Sequence, residues 1–235
     1  MSTLQDSLYL VTLIIAGLTA ILGFMVVNHL LKAKSKKVFD NKVVVVFSLL
    51  SFGYICFALA ELAWYLLFKV FEQIPTVSMP DFYWVLGSGA LLLAFTLFSV
   101  HIHQNHGDAK TGMLLLVVGA VLLGAVIYYV TGVDVGSTEG SVFLGYYYPI
   151  ASVLILIASI SVYIFEDKIN AFRGNLLLFL VANIAFLLGD LLYINYSVAG
   201  TFGVIGVVSE VLYMVAYFLC GYSFLWLLLR TQESI

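Results

Sequence analysis

Charged side chains are scarce in this chain: only 10% of its 235 residues are Asp, Glu, Lys or Arg, whereas 63% are hydrophobic. Together with the mean hydropathy of +1.10, this scarcity excludes an ordinary soluble domain. A chain with so few basic residues is also not expected to bind nucleic acid. The lipid bilayer is therefore the first partner that the composition predicts.

Several residues that would identify a known membrane chemistry are missing. The last apolar run, residues 204–229, contains no lysine, so a retinal Schiff base is excluded and no cofactor is expected. The few histidines have neither the positions nor the spacing of an intramembrane hydrolase of the ceramidase type. The sequence contains no nucleotide-binding loop and no serine elbow. The two cysteines, Cys56 and Cys220, form no CxxC pair and are expected to be small core residues.

Seven apolar runs reach the roughly 20 residues that a helix needs to cross a bilayer. They cover residues 6–32, 43–70, 80–102, 112–132, 142–165, 175–198 and 204–229. The first run is too long for a cleavable signal peptide and has Asp6 rather than a basic residue in front of it. Because the connections are short, we predict an all-α integral membrane protein in which residues 1–235 form a single domain of seven transmembrane helices.

The basic residues predict how these helices are oriented. Nine of the ten Lys and Arg residues flank the runs on one side of the membrane, and only Lys69 falls on the other side. The positive-inside rule then places the N-terminus outside and the C-terminus in the cytoplasm of a multi-pass protein of the cell membrane. Lys69 is expected to pair with Glu72 at the surface.

Four carboxylates recur at matching positions in the two halves of the chain. The acids are Glu61 and Asp81 in the first half, and Asp190 and Glu210 in the second half. Each pair is separated by 20 residues, and the second pair follows the first at an offset of 129. An aromatic residue stands three positions after each acid, namely Trp64, Trp84, Tyr193 and Tyr213. Because acids in membrane helices are costly and usually tied to function, these eight residues predict one ligand site toward the extracytoplasmic end.

The constant offset also predicts an internal duplication. An offset of four helices preserves direction across the membrane, so the halves would be parallel repeats, whose interface is a common place for a ligand site. Residues of about 6–103 and 142–230 would form the repeats, joined by a connector helix at about 112–132 in a 3+1+3 arrangement. The connector has no charged residue between Thr111 and Gly132 and is expected to face lipid.

Structural roles compete with ligand binding for each acid. SMPD (78–81) matches a capping box with Ser78 at the N-cap, which would explain Asp81 without a ligand. Glu210 is open to a structural or a functional role. Glu61 and Asp190 have no basic residue at their depth, so they are neutralised by protonation, by hydrogen bonds from Tyr or Asn, or by a bound cation.

The aromatic residues also have two interpretations. With the acids they would form a cage for an organic cation, and otherwise they would belong to the aromatic belt at the outer interface. GYYYP (145–149) adds three tyrosines at the same level, and Pro149 is expected to kink its helix. The histidines 101, 103 and 106 have a spacing unlike zinc signatures, so we interpret them as a solvated interfacial segment and predict no metal site.

Parts of the chain resemble a known class of membrane domain. The acid-then-aromatic helix end at Glu61 and Trp64, the segment SMPDFYW (78–84) and GDLLY (189–193) are similar to multi-helix sensory domains that precede diguanylate cyclase, phosphodiesterase or histidine-kinase modules in prokaryotic proteins. The resemblance implies a sensor that signals through its cytoplasmic end. No output domain follows Arg230, so either the module signals through a partner or a homodimer, or an output domain belongs to a longer chain.

Three functional hypotheses follow. The first is a sensor or receptor-like module that binds a small extracytoplasmic ligand, and the acids of the site favour a cation. The second is a transporter in which the same acids couple to protons or cations, and the third is a membrane enzyme that uses paired acids. Because the inner halves of the helices are almost purely apolar, one-sided binding is favoured over alternating access.

Overall fold

Seven long helices make up the structure, a computed structural model that describes residues 3–33, 42–71, 77–106, 109–133, 139–165, 175–199 and 202–233. They are α1 (Thr3–Ala33), α2 (Lys42–Phe71), α3 (Met79–His106), α4 (Ala109–Thr131), α5 (Glu139–Ile164), α6 (Leu176–Ala199) and α7 (Val204–Glu233). Each contains a stretch long and apolar enough to cross a membrane. The predicted all-helical, multi-pass membrane architecture is therefore confirmed.

Six of the helices form a closed ring. The principal contacts join α1 to α2, α2 to α3, α3 to α5, α5 to α6, α6 to α7 and α7 back to α1. The ring has a two-fold pattern: if α1, α2 and α3 are exchanged with α5, α6 and α7, every one of these contacts falls on another contact of the same set. The ring is thus compatible with the predicted duplication, which stays a prediction.

The connector α4 lies outside the ring and has α5 as its principal neighbour. Its membrane-spanning stretch is the least buried of the seven, with 17% of the residues enclosed. Leu116 and Tyr128 are 76% and 83% exposed. An apolar helix with so much exposed surface is suited to lipid contact, as the absence of charge in this segment indicated.

Close contact between α2 and α3 depends on two glycines that face each other. A methyl group on Gly87 would lie 2.5 Å from the Phe57 ring and 2.9 Å from the carbonyl oxygen of Gly53. On Gly53 it would lie 2.8 Å from Leu91. Small residues let membrane helices approach each other closely. This approach brings Phe57 and Leu91 to the wall of the cavity described below.

An ion pair joins α1 and α2 near the start of α1. Lys69 is the one basic residue predicted to lie on the opposite side of the membrane from the other nine. It donates to the carboxylate of Asp6. The predicted partner of Lys69, Glu72, lies outside the described residues, so that pairing stays a prediction, and Asp6 is a partner that the sequence did not indicate. A residue 63 positions away cannot be found from local spacing, because the contact requires α1 and α2 to pack side by side.

Candidate functional site

One cavity of about 100 Å³ lies inside the helix ring and is bordered by α2, α3, α5, α6 and α7. All eight predicted site residues line it, namely Glu61, Trp64, Asp81, Trp84, Asp190, Tyr193, Glu210 and Tyr213. The remaining lining residues are Phe57, Ser88, Leu91, Tyr148, Ser152, Ile155, Asn183, Phe186, Ile194 and Tyr217. The four acids of both halves therefore share one enclosed space, while their role in binding a ligand stays a prediction.

Glu61 is half-buried in the wall that α2 contributes. Its Oε1 atom accepts a hydrogen bond of 2.9 Å from the hydroxyl of Tyr217 on α7. Trp84 on α3 lines the cavity together with Glu61. The carboxylate is thus held by a neutral hydroxyl donor from another helix of the cavity wall.

Asp190 is held in a comparable way on α6. Its Oδ2 atom accepts a hydrogen bond of 2.5 Å from Ser152 on α5, and its Oδ1 atom accepts one of 2.8 Å from Tyr213 on α7. Tyr213 stands at the same offset of 129 from Trp84 as Asp190 does from Glu61. The two mid-helix acids therefore have aromatic residues at corresponding positions in the lining, and Tyr213 donates to its acid.

Asp81 both caps a helix and lines the cavity, the two roles that the sequence suggested for it. Its Oδ2 atom accepts hydrogen bonds from the backbone N–H (2.7 Å) and the hydroxyl (3.0 Å) of Ser78, just before α3 begins. This is the side-chain-to-N-cap half of the predicted capping box. Its Oδ1 atom accepts a hydrogen bond of 2.8 Å from Tyr148 on α5. One carboxylate thus caps α3 and also lines the cavity.

Glu210 is the most enclosed of the four acids, with 6% of its surface exposed. It lies almost two turns into α7, which begins at Val204, so it does not cap that helix. Its Oε2 atom accepts a 3.4 Å hydrogen bond from Thr12 on α1. The neighbouring Ser209 donates instead to the carbonyl of Gly189, which ties α7 to α6.

The aromatic rings form a connected group around the acids. The centroids of Trp64 and Trp84 are 5.7 Å apart, and the ring of Tyr148 meets Trp84 edge-on at 6.3 Å. On the opposite side, Tyr193 contacts Tyr196 at 5.1 Å. Rings close to carboxylates provide the surroundings in which proteins hold organic cations.

The charge of the cavity has one sign. Among the described residues that line it, four are acids and none is Lys, Arg or His. The hydrogen bonds described above bring only neutral O–H and N–H donors to these acids. Within the described ranges no group of three or more His, Cys, Asp or Glu residues is close enough to hold a metal ion. The carboxylates and the nearby aromatic rings are therefore suited to an organic cation.

The histidine segment of α3 is separate from the cavity. The ring of His103 packs edge-on against Phe165 with centroids 6.0 Å apart, and Nδ1 of His101 lies 3.4 Å from Nζ of Lys42. The side chain of His106 lies outside the described residues. The segment therefore contributes nothing to the lining of the candidate site.

Five polar residues of the cavity were not among the predicted site residues: Ser88, Tyr148, Ser152, Asn183 and Tyr217. Helical spacing could have revealed three of them. Tyr217 continues the stripe of Glu210 and Tyr213 along one face of α7 at intervals of three and four residues. Ser152 lies one turn after Tyr148 of the GYYYP segment. Asn183 precedes Asp190 by seven residues, a spacing that returns to the same helix face.

Comparison with known proteins gives no match: no family model matches the chain, and no curated protein or solved structure matches it significantly. The geometry and chemistry of the cavity are therefore the basis for inferring the function of the protein.

Proposed function

We propose that this protein is a receptor-like membrane module whose cavity binds a small organic cation, such as a primary or quaternary amine. The observation that carries the proposal is the convergence of four carboxylates and several aromatic rings on a cavity whose lining has no basic side chain. A cation would neutralise the acids and contact the faces of the rings at the same time. Because the cavity is small, the ligand would be a small molecule.

The orientation that we propose makes the acidic end of the bundle extracytoplasmic and places the protein in the cell membrane. Among the described cations, Lys32, Lys42, Lys110 and Arg230 lie near the opposite ends of their helices. Lys69, the exception, is neutralised by Asp6. The positive-inside rule thus supports an outward-facing site.

A sensor is favoured over the alternative of a proton- or cation-coupled transporter because packed aromatic rings lie on the cytoplasmic side of the cavity. The ring of Phe179 contacts Phe95 at 6.0 Å and Phe224 at 5.4 Å. All three are almost completely buried. Alternating access requires a second path to the site, and these three buried rings add only apolar surface on that side.

Signalling would follow from the position of the site between the two halves of the chain. Glu61 belongs to the first half and Asp190 to the second, so a cation attracted to both would alter the balance between the halves. The change would reach the cytoplasmic helix ends, where a signalling partner or a second copy of the chain would respond. The resemblance to prokaryotic sensory domains supports this mode of action.

Calorimetric titration of the purified full chain in detergent tests the proposal. Primary and quaternary amines are the probes, and the variants are Glu61→Gln, Asp190→Asn and the double variant. Loss of one carboxylate should weaken amine binding by about tenfold, which corresponds to roughly 1.4 kcal/mol. Asp6→Asn is the matched control, since it removes an acid outside the cavity. Equal affinities in the parent and the double variant would refute the ligand role.

Flux measurements separate the two candidate functions. Proteoliposomes are loaded with buffer and exposed to a labelled amine that the parent binds. We expect saturable binding without uptake above that of empty vesicles. Uptake that the Glu61→Gln variant abolishes would instead identify the protein as a transporter.

A further inference from the structure

Asn183 occupies the part of the cavity farthest from the acids along α6. It is 2% exposed and lines the cavity, yet its Nδ2 atom has no hydrogen-bond partner among the residues that the structure describes. Seven residues separate it from Asp190, so the two lie on one helix face about 10 Å apart along the axis. Buried amide donors in proteins are nearly always satisfied, and the place of Asn183 in the lining makes the cavity a source of an acceptor for this one.

The wall between the two levels is apolar. Phe57 and Phe186 stand four residues before Glu61 and Asp190 on their helices, one turn deeper than the acids. Leu91 and Ile155 line the cavity from α3 and α5. Two hydroxyl groups of the lining already have partners and are less available to a ligand, because Ser88 bonds to Tyr147 and Ser152 donates to Asp190. The cavity thus has a negative outer part and an apolar middle, and the amide donor at its inner end is unpaired among the described residues.

We infer that Asn183 determines ligand specificity by donating a hydrogen bond to an oxygen acceptor on the ligand. The inference rests on the proposed function and narrows the ligand class. The ligand is an amine whose charged group faces the acids and whose hydroxyl or carbonyl oxygen lies at the other end of an apolar body. The side chains of Asp190 and Asn183 both reach toward the ligand, so its two polar ends are separated by less than the axial distance of about 10 Å.

A matched pair of amines tests this inference by calorimetry on the full chain in detergent. Phenethylamine and tyramine share the same amine, linker and ring, and only tyramine carries a phenolic oxygen. The parent should bind tyramine more tightly by about fivefold to tenfold, the range of one net hydrogen bond. In Asn183→Leu, a change of similar volume without a donor, this ratio should fall to about one. The ratio is the readout, because phenethylamine makes no bond to Asn183 and a general effect of the substitution on the cavity changes the affinity for both amines.

The controls separate a specific role from loss of fold. Asn183→Ala repeats the test with a smaller side chain, and the melting temperature of each variant is recorded with and without ligand. Asn175→Leu changes another buried asparagine that also has an unpartnered Nδ2 atom but does not line the cavity, so its preference for tyramine should persist.

Each outcome decides one of the two claims. Equal binding of both amines by the parent, or a tyramine preference that persists in both Asn183 variants, would overturn the inference while leaving the proposed function intact. Such a result would mean that ordered water satisfies the amide. Failure of both amines to bind the parent would overturn the proposed function and this inference with it.

Discussion

The hydroxyl of Tyr217 on α7 donates a 2.9 Å hydrogen bond to the carboxylate of Glu61 on α2. The two residues are 156 positions apart and belong to different halves of the chain. Tyr217 is 2% exposed, so its hydroxyl has little access to solvent as an alternative partner. The bond therefore links the two halves directly at the wall of the cavity.

Removal of this bond should reduce the stability of the fold. Tyr217→Phe leaves the carboxylate without its main donor, and we expect a loss of about 1–3 kcal/mol. A double-mutant cycle with Glu61→Leu, followed by thermal unfolding in detergent, should give a coupling of about 1–3 kcal/mol. As a control, Tyr217→Phe combined with Ser161→Ala should be additive, because Ser161 pairs with Ser99 elsewhere. Additivity of the Tyr217 and Glu61 changes would contradict the bond.

Substitution by alanine should have different effects on stability at two nearby glycines of α3, because only one of them lies against α2. Gly87→Ala would force a methyl group to within 2.5 Å of Phe57 and 2.9 Å of a backbone oxygen that cannot move away easily. We expect a destabilisation of about 1–3 kcal/mol and weaker amine binding, because Phe57 lines the cavity. The matched control is Gly89→Ala on the same helix, where nothing lies within 4 Å. It should be neutral or stabilising by up to about 1 kcal/mol. Similar melting temperatures for the two variants would refute this account of the helix contact.

Amine binding should weaken as the pH falls. An alkylammonium group has a pKa near 10 and stays charged at neutral and acidic pH, so only the carboxylates change their charge. Protonation of the acids removes the attraction, and the affinity should therefore be lower at about pH 5 than at about pH 8. The measurement is a calorimetric titration series over pH. The double variant Glu61→Gln, Asp190→Asn should show a much flatter profile, and a flat profile in the parent would argue against binding by carboxylates.

The proposed orientation predicts which helix ends are accessible from outside the cell. Val77, just before α3, is 51% exposed, and Lys110, at the start of α4, is also exposed. In intact cells a membrane-impermeant maleimide should label Val77→Cys but not Lys110→Cys, which should react only after permeabilisation. The native Cys56 and Cys220 are buried and give a low background. The reverse labelling pattern would invert the topology and place the cavity on the cytoplasmic side.

The sequence predicted the membrane-spanning elements well because they follow from local properties. A run of apolar residues of bilayer length forms a helix wherever it lies in the chain. The matching positions of the acids in the two halves also proved informative, since all four line one cavity. Their hydrogen-bond partners were less accessible. The capping predicted for Asp81 does not exclude a place at the cavity, and its two oxygens take part in both.

By itself, then, the sequence determined the seven spans, the scarcity of charge and the four positions at which acids enter the membrane region, because these depend on composition and helical period. Only the tertiary structure decided that Tyr217 meets Glu61 and that Lys69 pairs with Asp6. It alone also shows that the Nδ2 atom of Asn183 is enclosed with no partner among the described residues. Such contacts depend on how each helix is rotated and how closely it approaches its neighbours. That geometry is set by the fit of side chains across the whole ring, which no local spacing encodes.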